Sequence, residues 1–298
     1  MKQGLGCCKV YISESRNRAA LECIEGAAGA FPEVLILNKF EDAAYNRVGY
    51  TVVSSLSNPL SFKTALYSMA EAAFKVVDLR SHCGSHPRLG VVDHVCFHPL
   101  GRSPVGHVAS IAQSLASDIG SRLHVPVFLY GAAHAQGRKL DSIRRELGYF
   151  QPSSRTQWAG EPVFKCLNPD HGPASATAGK GVVTIGASSW VDNYNVPIYS
   201  ADIRVARTIA RRVSERGGGL PHVQAMALSR RDGATEIACN LLSPNDVGGY
   251  DVQKEVERLA SENDLSFGKG YFTDISQDEL LETYSKHCLR SDVFDNNE

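Results

Sequence analysis

Apolar positions along the chain change period repeatedly, from two to between three and four and back again. "CKVYIS" (8–13) alternates over a short β-branched run and reads as a strand, and "RNRAALECIEGAAGAF" (16–31) reads as a helix. "EVLILNKF" (33–40) and "NRVGYTVVSS" (46–55) follow as strands. In "SFKTALYSMAEAAFKVV" (61–77), Phe62, Leu66, Met69, Ala73 and Val76 fall on one helical face, and "VVDHVCF" (91–97) closes a β-α-β-β-α-β series. A helix with Val108, Ile111, Leu115 and Ile119 on one side, then the apolar strand "VPVFLYG" (125–131), extend that series.

The second half repeats the order but not the residues. "GVVTIGASSWVDNYNVPI" (181–198) is rich in β-branched and aromatic residues and reads as strand. Ile203, Ala206, Ile209 and Val213 then mark an amphipathic helix ended by Gly217-Gly218-Gly219. Residues 222–242 read as two strands about an Asp232-Gly233 turn. Val252, Val256 and Leu259 share a helix face with Asp251 placed as its cap, and "SFGKGYFT" (266–273) supplies a last short strand. The grammar is that of an α/β chain of the α+β plait kind: two ferredoxin-like β-α-β-β-α-β subdomains, residues 1–187 and 188–298, with mixed sheets and helices mainly on one face. First and third strands are central neighbours in such a unit, so Asn195 and Asn240 are expected on adjacent strands. Between the halves, residues 150–180 are rich in Pro, Ser, Gly and Ala and carry little period, and loops of that length tend to be functional.

Composition narrows the class. At 298 residues the chain accommodates two cores, and 43% hydrophobic with 21% charged residues is globular rather than disordered. A formal net charge of −1 gives no whole-molecule attraction to nucleic acid or to an acidic membrane, and neither is an expected partner. Arg211-Arg212 and Arg230-Arg231 read as solvated charge. No apolar run approaches a membrane span, the N-terminus shows no export signal, and the eight cysteines lack CxxC spacing, so reduced thiols in a cytoplasmic protein are expected. Neither a phosphate loop nor a dinucleotide fingerprint is present.

Chemistry concentrates in "SHCGSHPRLGVVDHVCFHP" (81–99), which holds four of the ten histidines and two of the eight cysteines. A metal site is disfavoured there. His82 and His86 have helical spacing, but Gly84 and Pro87 oppose a helix, and His94, Cys96 and His98 alternate along one strand face without converging tetrahedrally. No metal is expected. "HPRLG" instead places an imidazole and a guanidinium at the mouth of the closing strand, suited to acid–base chemistry on an anionic substrate.

The stretch resembles the signature of the formiminotransferases, H-x-G-x-H-P-R-[ML]-G-[AV]-x-D, through His82, Gly84, His86, Pro87, Arg88, Leu89, Gly90, Val91 and Asp93. "VPVFLYG", "DHGP" (170–173), "TIGA" (184–187), Asn195 and "NLL" (240–242) follow in the family's order, so the resemblance covers nearly the whole chain. It implies transfer of a formimino group from N-formiminoglutamate to tetrahydrofolate, between two α/β plaits with the ligand in a cleft between them. Residues 1–187 would match the family's N-terminal subdomain and 188–298 its C-terminal one. His86 takes the general acid/base role. Arg88 and Arg47 would hold carboxylates of the glutamyl part. The folate loop maps onto Gly172, Pro173, Ala174, Ser175, Ala176, Thr177, Ala178, Gly179, Lys180 and Gly181, and His82, Asp93, Asn195 and Asn240 are supporting residues. The implied partners are a folate and a formimino or formyl donor, with a homodimer as the candidate assembly.

The chain also departs from the family pattern. Where the family opens Asn-Phe-Ser-Glu-Gly-Asn, this chain has "YISESR", with Tyr11 and Ser15 in place of Asn and Gly, and Phe40 stands where the family has an aspartate. The folate loop has Ala176 and Gly179-Lys180 where the family has bulky aromatic residues. These positions raise a second expectation, a folate-binding or folate-sensing protein whose transferase chemistry has drifted.

Overall fold

Leu5–Ile12 (β1) is flanked on both sides by antiparallel partners, and that central position organises the first half of the chain. The computed structural model describes residues 4–150, 167–230 and 232–295, with side chains of the last helix as far as residue 287. Trp158, Cys166, Arg231 and positions 151–166 of the loop between the halves lie outside the described residues, as does the side chain of Cys288.

After β1 come Arg18–Gly29 (α1), Val34–Asp42 (β2), Arg47–Ser55 (β3), Pro59–Val76 (α2), Val92–Leu100 (β4), Val105–Arg122 (α3), Val127–Gly131 (β5), Leu140–Glu146 (α4) and Val183–Ala187 (β6). Their sheet runs β2-β3-β1-β4-β6-β5. The first four strands are antiparallel, whereas β6 enters between β4 and β5 parallel to both, so this sheet is mixed as expected. Helix starts are set by side chains. Asn17 accepts the Ala20 N–H at α1, and Asn58 accepts the Ser61 N–H at α2 with Pro59 just inside.

The period of two divides the sheet faces. Cys8, Val10, Ile12, Val48, Tyr50, Val52, Val95 and Phe97 pack beneath α1, α2 and α3 with Leu21, Phe62, Leu66, Met69, Ile111 and Leu115. Val76, expected on that buried face, is exposed, and the chain instead buries Val77 as it leaves the helix. On the opposite face, register aligns Phe40, Gly49, Tyr11, His94, Thr184 and Phe128 in one row across all six strands. Gly49 is needed in that row: a Cβ there would come within 2.9 Å of the Tyr11 ring.

The run 181–198 is not one strand. It breaks at Ser188, with β6 in the first sheet and Asp192–Ile198 (β7) opening the second. An eighteen-residue β-rich run exceeds the usual strand length, and the apolar pattern carries no mark of the sheet change. Ile203–Val213 (α5), Val223–Ser229 (β8), Thr235–Leu241 (β9), Gly249–Ser261 (α6) and Tyr271–Phe272 (β10) follow, in sheet order β10-β7-β9-β8. Every pairing here is antiparallel, which corrects the expectation of a second mixed sheet. A helix crossover brings its two strands back parallel, and the strand seated between them runs against both. The cap of α6 is Gly248 rather than Asp251; Asp251 reaches back to accept the Gly248 N–H at 2.9 Å.

Contacts divide the chain into two compact units, one running to Ser188 and resuming at Ser276, the other Ser189–Ile275. The second unit stops short of the C-terminus to which the sequence reading carried it. The last helix, Gln277–Asp295 (α7), packs on β2 and buries Leu280 and Tyr284.

Candidate active site

The loop between α2 and β4 holds His86, and its shape is set by close backbone approach. A Cβ on Gly84 would stand 1.9 Å from the Tyr45 carbonyl oxygen, so only glycine lets the loop lie against the β2–β3 turn. The Ser85 N–H donates to Ala44 O at 3.0 Å. His82 is buried and donates its Nε2–H to Asn46 O at 2.8 Å, a carbonyl being able only to accept. Asn46 adopts a positive φ, and its side-chain oxygen accepts the Ser15 N–H at 2.9 Å. Ser13 closes the other side, its hydroxyl donating to Gly90 O at 2.7 Å.

Arg88 does not reach outward. Its buried guanidinium donates to His82 O at 3.1 Å and lies 3.5 Å from Gly84 O and His86 O, gathering the loop around itself. Arg47 is buried as well, with Nη1 2.8 Å from Asp93 Oδ2 and its guanidinium 4.9 Å from the centre of the Tyr11 ring. The other Asp93 oxygen accepts the Leu89 N–H. Burial alone would raise the Asp93 carboxyl; the charges of Arg47 and Arg144 and the Leu89 N–H outweigh it and hold the group below the usual carboxylate range.

His86 is half-buried. Its Nδ1 lies 2.6 Å from Pro87 O, so Nδ1 carries the hydrogen and the Nε2 lone pair is left as proton acceptor. Burial, then the Arg47 charge, lowers its pKa to about 3, so the ring is neutral at pH 7. Tyr45 lies 5.4 Å from it centre to centre, and Tyr149 meets it edge-on at 6.3 Å. The Arg144 guanidinium sits 4.5 Å over the Tyr149 ring. Buried polar atoms without a hydrogen-bond partner among the described residues gather here, among them the Tyr45 and Tyr149 hydroxyls, His82 Nδ1 and Arg144 Nε. Buried polar atoms are rarely left in that state, and their concentration here marks a place for a polar ligand.

Beside them on the sheet face opposite the helices, His94 and Tyr11 stack at 5.5 Å and 8°, and His94 Nε2 shares a hydrogen bond of 2.7 Å with the Tyr130 hydroxyl. Burial, then Arg144 and Arg47, keep His94 neutral. His98 donates Nδ1–H to Ser188 O at 3.3 Å. Among the described residues no group of three His, Cys, Asp or Glu side chains is placed to hold a metal.

The loop Gly172–Gly181 ends against this region. Gly90 and Gly181 form a bridge, and Val91 N donates to Lys180 O at 2.9 Å. The amides of Lys180 and Gly181 turn inward to Thr177 O, and Lys180 Nζ donates to Leu123 O at 2.8 Å. Pro173 is partly covered and Ala176 buried, while Gly172, Ala174, Ser175 and Thr177 are exposed. In the second unit, Asn195 and Asn240 occupy adjacent strands but do not pair. Asn240 accepts from Asn193 at 2.7 Å, and Asn195 donates to buried Glu236 at 2.8 Å. Arg230, expected as solvated charge, completes a network on the same carboxylate at 2.9 Å with the Tyr271 hydroxyl at 3.0 Å.

A family model described as the formiminotransferase domain, N-terminal subdomain, matches residues 5–188, which include every first-unit side chain placed around His86. The chain belongs to the formiminotransferase family. It is 55% identical over 289 residues to the formiminotransferase cyclodeaminase-like protein of Arabidopsis thaliana, covering 95% of this chain and 97% of that one. Glutamate formimidoyltransferase of Thermoplasma acidophilum is 26% identical, covering 97% of this chain and 93% of that protein. The formimidoyltransferase-cyclodeaminase of Sus scrofa is 27% identical over 96% of this chain, which spans 53% of that longer protein.

The sequence reading missed Tyr45, Asn46, Arg144, Tyr149 and Glu236. Arg144 and Tyr149 lie in and just after a seven-residue helix, too short for its period to be legible. No local signal distinguishes a buried arginine from a solvated one.

Proposed function

We propose that the protein is a cytosolic one-carbon transferase that moves a formimino group from N-formiminoglutamate to tetrahydrofolate. The observation that carries this reading is His86: a neutral imidazole, fixed in one tautomer by Pro87 O, among buried polar groups that lack partners. Tetrahydrofolate N5 attacks the formimino carbon and forms a C–N bond, and His86 Nε2 takes the proton that N5 gives up. The same imidazole returns it to the glutamate nitrogen as the old C–N bond breaks, releasing glutamate and 5-formiminotetrahydrofolate. Such a proton shuttle contributes roughly a hundred- to ten-thousand-fold. Arg47 and Asp93 position the loop entrance, Arg88 shapes the loop itself, and residues 172–181 are assigned to the folate. Six free thiols among the described residues suit a reducing compartment.

The test is turnover of N-formiminoglutamate with tetrahydrofolate by purified protein, read as folate-dependent glutamate release. Neither turnover nor folate binding would end this reading. A second reading, a folate-binding or folate-sensing protein, draws on the row opposite the helices, where Phe40 and Tyr11 occupy the positions flanking Gly49 and the Tyr11 ring stacks on His94. Tight folate binding without turnover, with activity appearing in Phe40→Asp, would favour it.

A further inference from the structure

Arg144 is 7% exposed, and among the described residues its Nε has no hydrogen-bond partner and no carboxylate forms an ion pair with it. Asp141, three residues earlier in the same helix, pairs with Arg145 instead. The carboxylate charge felt at Arg144 is that of Asp93, which is already paired with Arg47, and a buried guanidinium without an ion-pair partner of its own is costly unless an anion arrives to meet it. The other two buried arginines near His86 are engaged, Arg47 with Asp93 and Arg88 with the loop carbonyls. Arg144 is joined to His86 through one ring, since Tyr149 turns its face to the guanidinium and meets the imidazole in a T-shaped contact. The Tyr149 and Tyr45 rings both lie against His86, and their buried hydroxyls add two O–H donors without partners among the described residues.

We infer that Arg144, with the hydroxyls of Tyr149 and Tyr45, is the recognition site for the α-carboxylate of the glutamyl donor. The inference rests on the transferase reading and deepens it. In an N-formimino amino acid the α-carboxylate is attached to the carbon that bears the departing nitrogen. A histidine that protonates that nitrogen therefore has the α-carboxylate beside it. The carboxylates of a folate are held away from its reacting N5 by the whole aminobenzoyl ring, so they cannot reach the same place while N5 faces His86. An arginine beside the carboxylate also fixes which way the formimino carbon points.

Calorimetric titration of wild type and Arg144→Gln with N-formimino-L-glutamate tests this without requiring turnover. Loss of a charged partner in a buried site predicts binding weakened roughly thirtyfold or more. Removing an unpaired buried charge should leave the Tm of Arg144→Gln unchanged or raised, whereas a structural arginine would lower it. Wild type should bind the analogue lacking the α-carboxylate, 4-formimidoylaminobutanoate, as weakly as Arg144→Gln binds either compound. Equal affinity of the two proteins for N-formimino-L-glutamate, or no binding by wild type, overturns the inference. So does an effect confined to tetrahydrofolate that disappears with tetrahydropteroate, because Arg144 would then read the folate tail. If Arg144→Gln fails to fold, Tyr149→Phe carries the test: donor affinity must fall while tetrahydrofolate affinity holds, and an unchanged donor affinity counts against the site. Arg144-dependent binding without turnover would remove the transferase reading while leaving the recognition site standing.

Discussion

Arg47 Nη1 meets Asp93 Oδ2 at 2.8 Å across 46 residues of chain, and both side chains are buried. The pair joins the start of β3 to the start of β4, and through Leu89 N–H it fixes the end of the loop that carries His86. Either charge left alone in that interior is poorly solvated, so the pair acts as a unit.

Breaking the pair from one side should therefore cost more than removing it whole. Arg47→Met and Asp93→Asn are each expected to lose about 3–5 kcal/mol, because each leaves a buried group without its partner. The double variant Arg47→Met/Asp93→Asn should lose clearly less than the sum of the two single losses. Urea denaturation at pH 7 measures all of these, and additive losses would show that the two residues act independently.

His86→Ala should lower turnover by roughly a hundred- to ten-thousand-fold while changing tetrahydrofolate affinity by less than about threefold, as for a group needed chiefly in the transition state. Retention of most of the activity would remove His86 from the mechanism. Ring NMR of the free wild type should show His86 neutral from pH 8 down to below pH 5, since its pKa is lowered to about 3. An anionic donor should raise that pKa by offsetting the Arg47 and Arg144 charges.

His82 makes stability depend on pH in a defined direction. Burial, then the Arg88 charge, lowers its pKa to about 4 from an ordinary 6.5. The unfolded chain thus binds a proton between those values that the folded chain refuses. Stability is at its full value above pH 6.5 and falls as pH drops toward 4, by about 3 kcal/mol from this group. His82→Gln, which retains a donor for Asn46 O, should flatten that part of the curve. An unchanged slope in chemical denaturation from pH 7 to 4.5 would mean that His82 is not the group responsible.

Gly84→Ala tests the loop's dependence on close packing. The added Cβ would lie 1.9 Å from Tyr45 O, and a carbonyl of a paired turn cannot retreat alone. A loss of about 1–3 kcal/mol is expected, with a drop in turnover larger than any drop in folate affinity. A variant with wild-type Tm and turnover would show that the loop has room there.

Much of this architecture is legible along the chain. Strand order, the helix faces of Leu66, Ile111 and Ile209, and the motif around His86 all follow from local period and spacing, because neighbours in sequence are what dictate a helix stripe or a strand alternation. Other features depended on partners distant in sequence. The run 181–198 carries one apolar pattern, and only the folded sheets divide it between β6 and β7. Arg88 looked like a substrate clamp from its place in H-P-R, but the chain folds back until three of its own carbonyls surround it. Arg230 looked solvated until Glu236 was found buried opposite it, and Arg144 had no distinguishing mark at all. A charge's role is set by what stands within a few ångströms of it, and for these residues that surrounding is assembled from segments tens of residues apart. Local sequence determined the elements and the reactive histidine; the tertiary structure decided which charges are paired and which stand ready for a ligand.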